Sequence, residues 1–185
     1  MKDGDETETT CVAESADGIS WSRPNLGIHE VNGTTDNNVV LAKQSPYSHN
    51  FSPFVDSNPA VDPKEKFKAI GGLHPEGLAQ FVSPDGYRWT LKKKKILTSN
   101  EFAFDSQACA FWSELENKHV CFFRTWKNKI RCVSRTTSDD CLTWSPPVEM
   151  KSDRPLDHFY TSQTHHYFRA PHLYVSLAAC FIPKR

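Results

Sequence analysis

The sequence predicts an all-β protein on three observations. A Ser-x-Asp-x-x-x-Trp segment occurs three times, and no segment has the pattern of a long amphipathic helix. Between the copies, apolar residues recur mainly at every second position, as in strands. Aromatic side chains (12 Phe, 5 Trp and 5 Tyr) supply much of the predicted core. The 185 residues suffice for one domain or for a piece of a larger one.

The repeated segment predicts a hairpin turn. Asp accepts hydrogen bonds from backbone N–H groups two residues further on, and Gly tolerates positive φ. Gly follows Asp in the first two copies, whereas Cys141 takes its place in the third. The copies end at Trp21, Trp89 and Trp144, 68 and then 55 residues apart. Four-stranded β-propeller blades repeat about every 40–50 residues, so the spacing predicts a propeller with insertions.

These turns divide the chain into predicted blades. We expect a disordered polar N-terminus at residues 1–10 and the end of one blade at 11–45. Whole blades are predicted at 46–91 and 102–147, and a further blade begins at 157–185. The innermost strand of the second whole blade is predicted at residues 104–112, and its next two strands at 118–124 and 130–135.

Composition and charge restrict the function. Lys+Arg 22 and Asp+Glu 22 give no net charge, which argues against a nucleic-acid partner. No apolar run approaches the roughly 20 residues of a membrane span. The six cysteines lack Cys-x-x-Cys spacing, so we expect buried free thiols and no metal site. Without a signal peptide the chain as written is expected to be cytoplasmic, or exported if its N-terminus is missing, which leaves its localisation unknown.

Several segments resemble a group of bacterial five-bladed β-propellers, similar to the glycoside hydrolase superfamily of families 32 and 43. They are residues 11–27, 37–38, Ser-Pro-Phe-x-Asp-x-Asn-Pro at 52–59, 104–107, 111–112 and 167–172. The resemblance covers nearly the whole chain after residue 10. It implies an incomplete five-bladed propeller, a longer parent protein and a carbohydrate partner. The oligomeric state of the protein is not predicted. No cofactor is expected beyond the structural calcium that some related propellers hold near the channel.

Site residues are expected at the channel mouth, where the innermost strands begin. Aligning Phe54 with Phe111 places residues 48–50 opposite 105–107 and puts Asp105, the predicted catalytic residue, at the mouth. Strand two runs antiparallel and is expected to bring Arg124 back beside Asp105. The predicted substrate-binding residues are His49, Asn50, Gln107, Arg124, Arg169 and His172.

Two acidic residues invite a catalytic interpretation. The alignment puts Asp56 opposite Ser113, in an Asx-turn at the far end of its strand. For Asp105 two readings stay open: the resemblance implies that it orients substrate hydroxyls or tunes its neighbours, and an Asp–Arg pair tying two strand ends is equally compatible. Trp126 is a further candidate, for stacking on a sugar.

The number of carboxylates decides between cleavage and binding. Arg169-Ala-Pro resembles the Arg-Asp-Pro stretch of family 32, but Ala170 stands in place of the Asp, so this chain lacks that carboxylate. Glycoside hydrolysis normally needs two carboxyl groups. The sequence therefore predicts a glycosidase-like propeller that hydrolyses or binds a carbohydrate. The alternative is a non-catalytic carbohydrate-binding or scaffolding propeller.

Overall fold

The computed structural model describes residues 3–153 and 158–183, and this part of the chain is all-β, as predicted. Its only helix is a 3₁₀ turn at Pro63–Glu65. The strands are β1 (Thr10–Cys11), β2 (Val39–Leu41), β3 (Ser52–Val55), β4 (Phe67–Leu73), β5 (Gly77–Ser83), β6 (Thr90–Leu97), β7 (Cys109–Ser113), β8 (Lys118–Lys127), β9 (Ile130–Ser138), β10 (Val148–Glu149), β11 (His158–Phe159), β12 (Thr164–Tyr167), β13 (Ala170–Ser176) and β14 (Cys180–Phe181).

Two four-stranded antiparallel sheets form the centre of the molecule. The first sheet has the order β3-β4-β5-β6 and the second sheet has β7-β8-β9-β10, so each strand pairs with its neighbour in the chain. The sheets largely match the two segments predicted as whole blades, but β6 continues past residue 91 to Leu97 and β10 lies just beyond residue 147. Smaller pairs flank them: β1 with β2 before the first sheet, and β12 with β13 after the second.

The two strands predicted to be innermost, β3 and β7, begin later than predicted. The strand expected from residue 104 starts only at Cys109, because Phe104 has φ of 64° and the chain bends at the next two residues. A positive φ at a bulky residue interrupts an extended strand. Asn50, with φ of 54°, lies just before β3 in the same way. Asp105 therefore lies in the loop that leads into β7.

All three repeated segments form the predicted turn. In each copy one Asp oxygen accepts hydrogen bonds from the N–H groups two and three residues further on, at 2.7–2.8 Å. The N–H groups of Ser20 and Ile19 lower the pKa of Asp17 to about 2. In the third copy Cys141 adopts the Gly conformation, with φ of 60°. Two of these turns join the last two strands of the first and second sheets.

Apolar side chains alternate along the strands and form three layers of core. The central layer, between the two sheets, includes Ile70, Leu78, Ala110 and Phe123. The opposite face of the first sheet packs Phe81 against Leu41 of β2, and the opposite face of the second packs Phe122 against Tyr174 of β13. The β1–β2 pair, the two sheets and the β12–β13 pair are therefore stacked in chain order.

All six cysteines lie in the described part of the chain, and none of them forms a disulfide there. Cys109, Cys121 and Cys141 are buried, Cys132 is half-buried, and Cys11 and Cys180 are exposed. Burial raises the pKa of Cys141 to about 12 and that of Cys121 well above its ordinary value. The prediction of buried free thiols is thus confirmed for Cys109, Cys121 and Cys141, which pack as small apolar groups.

A buried ionic group joins the two sheets at the far ends of β3 and β7. The Asp56 carboxylate, which follows β3, accepts hydrogen bonds from Lys68 of β4 at 2.5 Å and from His119 of β8 at 2.9 Å. These three residues are only 2–6% exposed. The Asn58 N–H also donates to Asp56 at 3.0 Å, which confirms the predicted Asx-turn. Burial favours the neutral acid, but the hydrogen bonds from His119 and Lys68 outweigh it and lower the pKa of Asp56 to about 2.

Removing the Asp56 charge is expected to destabilise the protein strongly. Asp56→Asn leaves Lys68 and His119 in a buried site without a carboxylate, and such a loss costs about 3–5 kcal/mol of unfolding free energy. Asp62→Asn is the matched control, since the exposed Asp62 accepts a hydrogen bond only from the Lys64 N–H. Urea denaturation measures both variants. Equal losses in the two would show that the buried group contributes nothing specific.

The same group predicts the direction of an acid effect. The pKa of Asp56 is lower in the folded protein than the roughly 3.9 of an unfolded chain, so its contribution is present above that pH and is lost as the pH falls through about 2. The wild-type protein should therefore lose more unfolding free energy than Asp56→Asn between about pH 4 and pH 2. Parallel pH profiles of the two proteins would contradict this assignment.

Candidate functional site

An ion pair lies at the end of the two sheets where β3 and β7 begin. Arg124, near the end of β8, contacts the Asp105 carboxylate in the loop before β7, as the antiparallel return of β8 predicts. The Arg124 side chain is 1% exposed, whereas that of Asp105 is 43% exposed. The pair therefore holds a carboxylate in a fixed position that solvent still reaches.

Tyr160 completes this group, which we call the Asp105 site (Asp105, Arg124 and Tyr160). Arg124 donates a hydrogen bond to the Tyr160 carbonyl oxygen at 3.3 Å, and its guanidinium carbon lies 4.6 Å from the centre of the Tyr160 ring. The Tyr160 residue is 40% exposed. The site thus combines a carboxylate acceptor with an accessible aromatic ring, the two features that recognise sugar hydroxyl groups and the apolar faces of sugar rings.

His49 lies in the loop before β3 and pairs with the N-terminal segment. Its Nδ1 atom is 3.1 Å from a carboxylate oxygen of Glu8. Gly4 is buried, and its carbonyl oxygen accepts a hydrogen bond from the Ser45 hydroxyl at 2.5 Å. The segment expected to be disordered is therefore held at Gly4 and Glu8 to the loop before β3, because a backbone carbonyl and a carboxylate find partners there.

Asn50 and Gln107 form a reciprocal link between the loops that lead into β3 and β7. The Asn50 side-chain amide donates to the Phe104 carbonyl oxygen at 3.2 Å. The Gln107 side-chain amide donates to the Phe51 carbonyl oxygen, also at 3.2 Å. These two predicted substrate-binding residues thus use their side-chain N–H groups to hold the loops together.

The structure does not bring Arg169 or His172 to the Asp105 site. β12 lies beside β7 and runs in the same direction, since the Thr164 backbone lies near the Cys109 thiol and the Phe111 ring is 5.2 Å from that of His166. Arg169 follows the end of β12, and His172 lies on β13. Both residues lie away from the predicted channel mouth because an additional strand, β12, precedes them. The Thr-His-His-Tyr sequence of β12 lacks apolar alternation and therefore does not predict a strand.

Sequence reasoning missed a cluster of rings around Arg131, which we call the Arg131 cluster (Trp126, Arg131, His158, Tyr160 and Phe181). Trp126 and Arg131 are direct partners across the β8–β9 ladder. The short turn that joins these strands was a sequence signal for this pair, because residues at equal distances from a hairpin turn face each other. Nothing local predicts the contact with Phe181, which is distant in the chain.

Comparisons with known proteins give no match: none of the protein-family models, curated proteins or solved structures compared with the chain is similar to it. Over residues 3–153 and 158–183, no three His, Cys, Asp or Glu side chains gather in a way that suits a metal ion. The helix in that part of the chain is also far too short to cross a membrane. The geometry of the site is therefore the basis for assigning a function.

The Asn50–Gln107 link predicts a loss of stability without a loss of ligand binding. Asn50→Ala and Gln107→Ala each remove one hydrogen bond to a carbonyl oxygen and should each cost about 0.5–1.5 kcal/mol of unfolding free energy. Urea denaturation measures this cost, and saccharide titration of the folded variants measures binding. Weaker saccharide binding by either variant at unchanged stability would restore the predicted substrate-binding role.

Proposed function

We propose that this chain is part of a five-bladed β-propeller, similar to glycoside hydrolases of families 32 and 43, and that it binds a carbohydrate at the Asp105 site. The stacking of layers in chain order supports the propeller. So does the Asp turn between the last two strands of each four-stranded sheet. The innermost strands β3, β7 and β12 adjoin one another in the same order. Their starts define one end of the stack, which in a propeller is the mouth of the channel.

The uneven exposure of the Asp105–Arg124 pair is the observation that supports binding. Compensation of the buried Arg124 charge explains why Asp105 pairs with it, but this structural role does not require the carboxylate to stay open to solvent. Here the cation is buried and the carboxylate is 43% exposed, so oxygen lone pairs remain available to hydroxyl donors. The neighbouring Tyr160 ring offers an apolar surface to the same ligand.

The residues at this end support binding more strongly than cleavage. Hydrolysis normally uses two carboxyl groups roughly 5–10 Å apart. Among the described residues, the Asp105 site contains one carboxylate, that of Asp105 itself. Glu8 is paired with His49, and Glu149 with Lys127. Asp105 therefore orients sugar hydroxyl groups, and a hydrolytic parent protein would draw its second carboxylate from another segment.

The proposal is tested by titrating the chain with a panel of neutral and acidic oligosaccharides. Asp105→Asn should weaken binding of the recognised sugar about 10- to 100-fold, because a charged acceptor contributes about 1.5–3 kcal/mol. Tyr160→Ala keeps the ion pair and should also weaken binding. Asp139→Asn is the control, since Asp139 is 81% exposed and pairs with Lys118 away from this end.

Two outcomes would contradict carbohydrate binding. One is unchanged affinity in both Asp105→Asn and Tyr160→Ala, and the other is the absence of any saccharide binding by the wild-type chain. Either would favour the scaffolding alternative. Release of nitrophenol from aryl glycosides by the wild-type chain, abolished by Asp105→Asn, would instead establish hydrolysis.

A further inference from the structure

Arg131 occupies an unusual environment next to the Asp105 site. Its guanidinium carbon lies 4.2 Å from the ring centre of Phe181 and 4.5 Å from that of Trp126. The same atom is 5.5 Å from the centre of the Tyr160 ring, on which Arg124 also stacks. The two arginines therefore share Tyr160, and the Arg131 cluster adjoins the Asp105 site.

Arg131 has no carboxylate partner among residues 3–153 and 158–183, in contrast to three other arginines. Arg88 pairs with Asp85, Arg124 with Asp105, and Arg135 with Glu116. The polar neighbour of Arg131 is His158, whose Nδ1 lies 3.4 Å from a terminal nitrogen of the guanidinium. A half-buried cation held among rings without an acid lacks the compensation that such charges usually have.

Hydrogen-bond donors exceed acceptors in this cluster. Within the described chain, the Arg131 Nε and Trp126 Nε1 atoms are buried without a hydrogen-bond partner, and the Arg124 Nε is in the same state. All three side chains lie on one face of the second sheet, near the end of β8 and the start of β9. Buried polar groups are normally satisfied, so the cluster lacks a group that carries acceptors and negative charge.

The rings also restrict how Arg131 can bind a ligand. The N–H donors of a guanidinium lie in its plane, and they match the paired oxygens of a carboxylate or sulfate. Three ring centres lie 4.2–5.5 Å from the guanidinium carbon and crowd it, so an anion must reach Arg131 along its N–H donors. Arg131 and Lys151 line a groove of about 680 Å³, large enough for a sugar unit. Glu149 and Asp153 line it as well, and Glu149 is neutralised by Lys127 at 2.8 Å.

We infer that the carbohydrate carries an anionic substituent, a carboxylate or a sulfate, and that Arg131 binds this substituent while Asp105 binds neighbouring hydroxyl groups. The inference rests on the proposed function, since it names the class of saccharide that the same end of the sheets recognises. An acidic sugar supplies both the charge that Arg131 lacks and the hydroxyl donors that Asp105 accepts.

The test is isothermal titration of the full chain with four probes: glucuronate and oligogalacturonate as carboxylated sugars, glucose 6-sulfate as a sulfated one, and glucose as the neutral reference. At least one acidic probe should bind more than tenfold more tightly than glucose. Arg131→Met should remove this preference, and Arg131→Lys, which keeps the charge but loses the planar fork, should reduce it in part. Whichever of the carboxylated and sulfated probes shows the preference identifies the substituent.

Arg135→Met is the matched control. Arg135 lies on the same strand and the same face as Arg131 but pairs with Glu116, nearer the other end of the strand. Its substitution should leave the preference for the acidic probe unchanged. Thermal unfolding of each variant separates loss of binding from loss of the fold, and Arg131→Lys provides the measurement if Arg131→Met does not fold.

The outcomes separate the two proposals. Asp105-dependent binding of neutral and acidic sugars with equal affinity would overturn the anionic substituent and leave carbohydrate binding intact. Arg131-dependent binding of inorganic sulfate, with no saccharide bound by any variant, would support an anion site but contradict the carbohydrate. A lower unfolding temperature in Arg131→Met, with no anion bound by the wild-type chain, would reduce the cluster to cation–π packing.

Discussion

The second sheet is apolar on both faces, and the rest of the structure depends on covering it twice. Consecutive residues of β8 are buried on opposite sides, with Phe122 in one core and Phe123 in another. One face packs on the first sheet and the other on the β12–β13 pair. Stacking in this order places the innermost strands side by side and brings the loops before β3 and β7 to one end. Asp105 is half-exposed because it lies in such a loop rather than within a ladder.

Two aspartates near the innermost strands have opposite roles, and exposure separates them. Asp56 is almost completely buried, and its carboxylate is in hydrogen-bond contact with the Lys68 ammonium and the His119 ring within the protein. Asp105 pairs with one buried arginine and leaves much of its carboxylate in solvent. The first arrangement stabilises the contact between sheets, whereas the second leaves a hydrogen-bond acceptor exposed to solvent. Residue type alone does not distinguish the two.

Sequence reasoning succeeded where the deciding geometry was local. The Asp turns follow from the spacing of Asp and the N–H groups beside it, and the approach of Arg124 to Asp105 follows from an antiparallel return. It failed where tertiary contacts decided the outcome. Lys68 and His119 lie on different strands, and the residues next to them in the sequence do not indicate that both contact the buried Asp56 carboxylate. The Arg131 cluster depends on Phe181, about 50 residues further along the chain, and no local pattern encodes such a contact.

The three repeat tryptophans show that the turn and the packing of its Trp are separate properties. The Asp turns have equivalent hydrogen bonds, yet Trp89 packs edge-on against Phe51 at 5.1 Å, Trp144 joins the core between the two sheets, and Trp21 is 64% exposed. The turn is stabilised by its own backbone N–H groups and forms whether or not a layer covers it. The indole is buried only where a neighbouring sheet lies against it. A repeated Ser-x-Asp-x-x-x-Trp segment therefore predicts the hairpin from local chemistry, while the burial of its Trp reports which faces of the stack are covered.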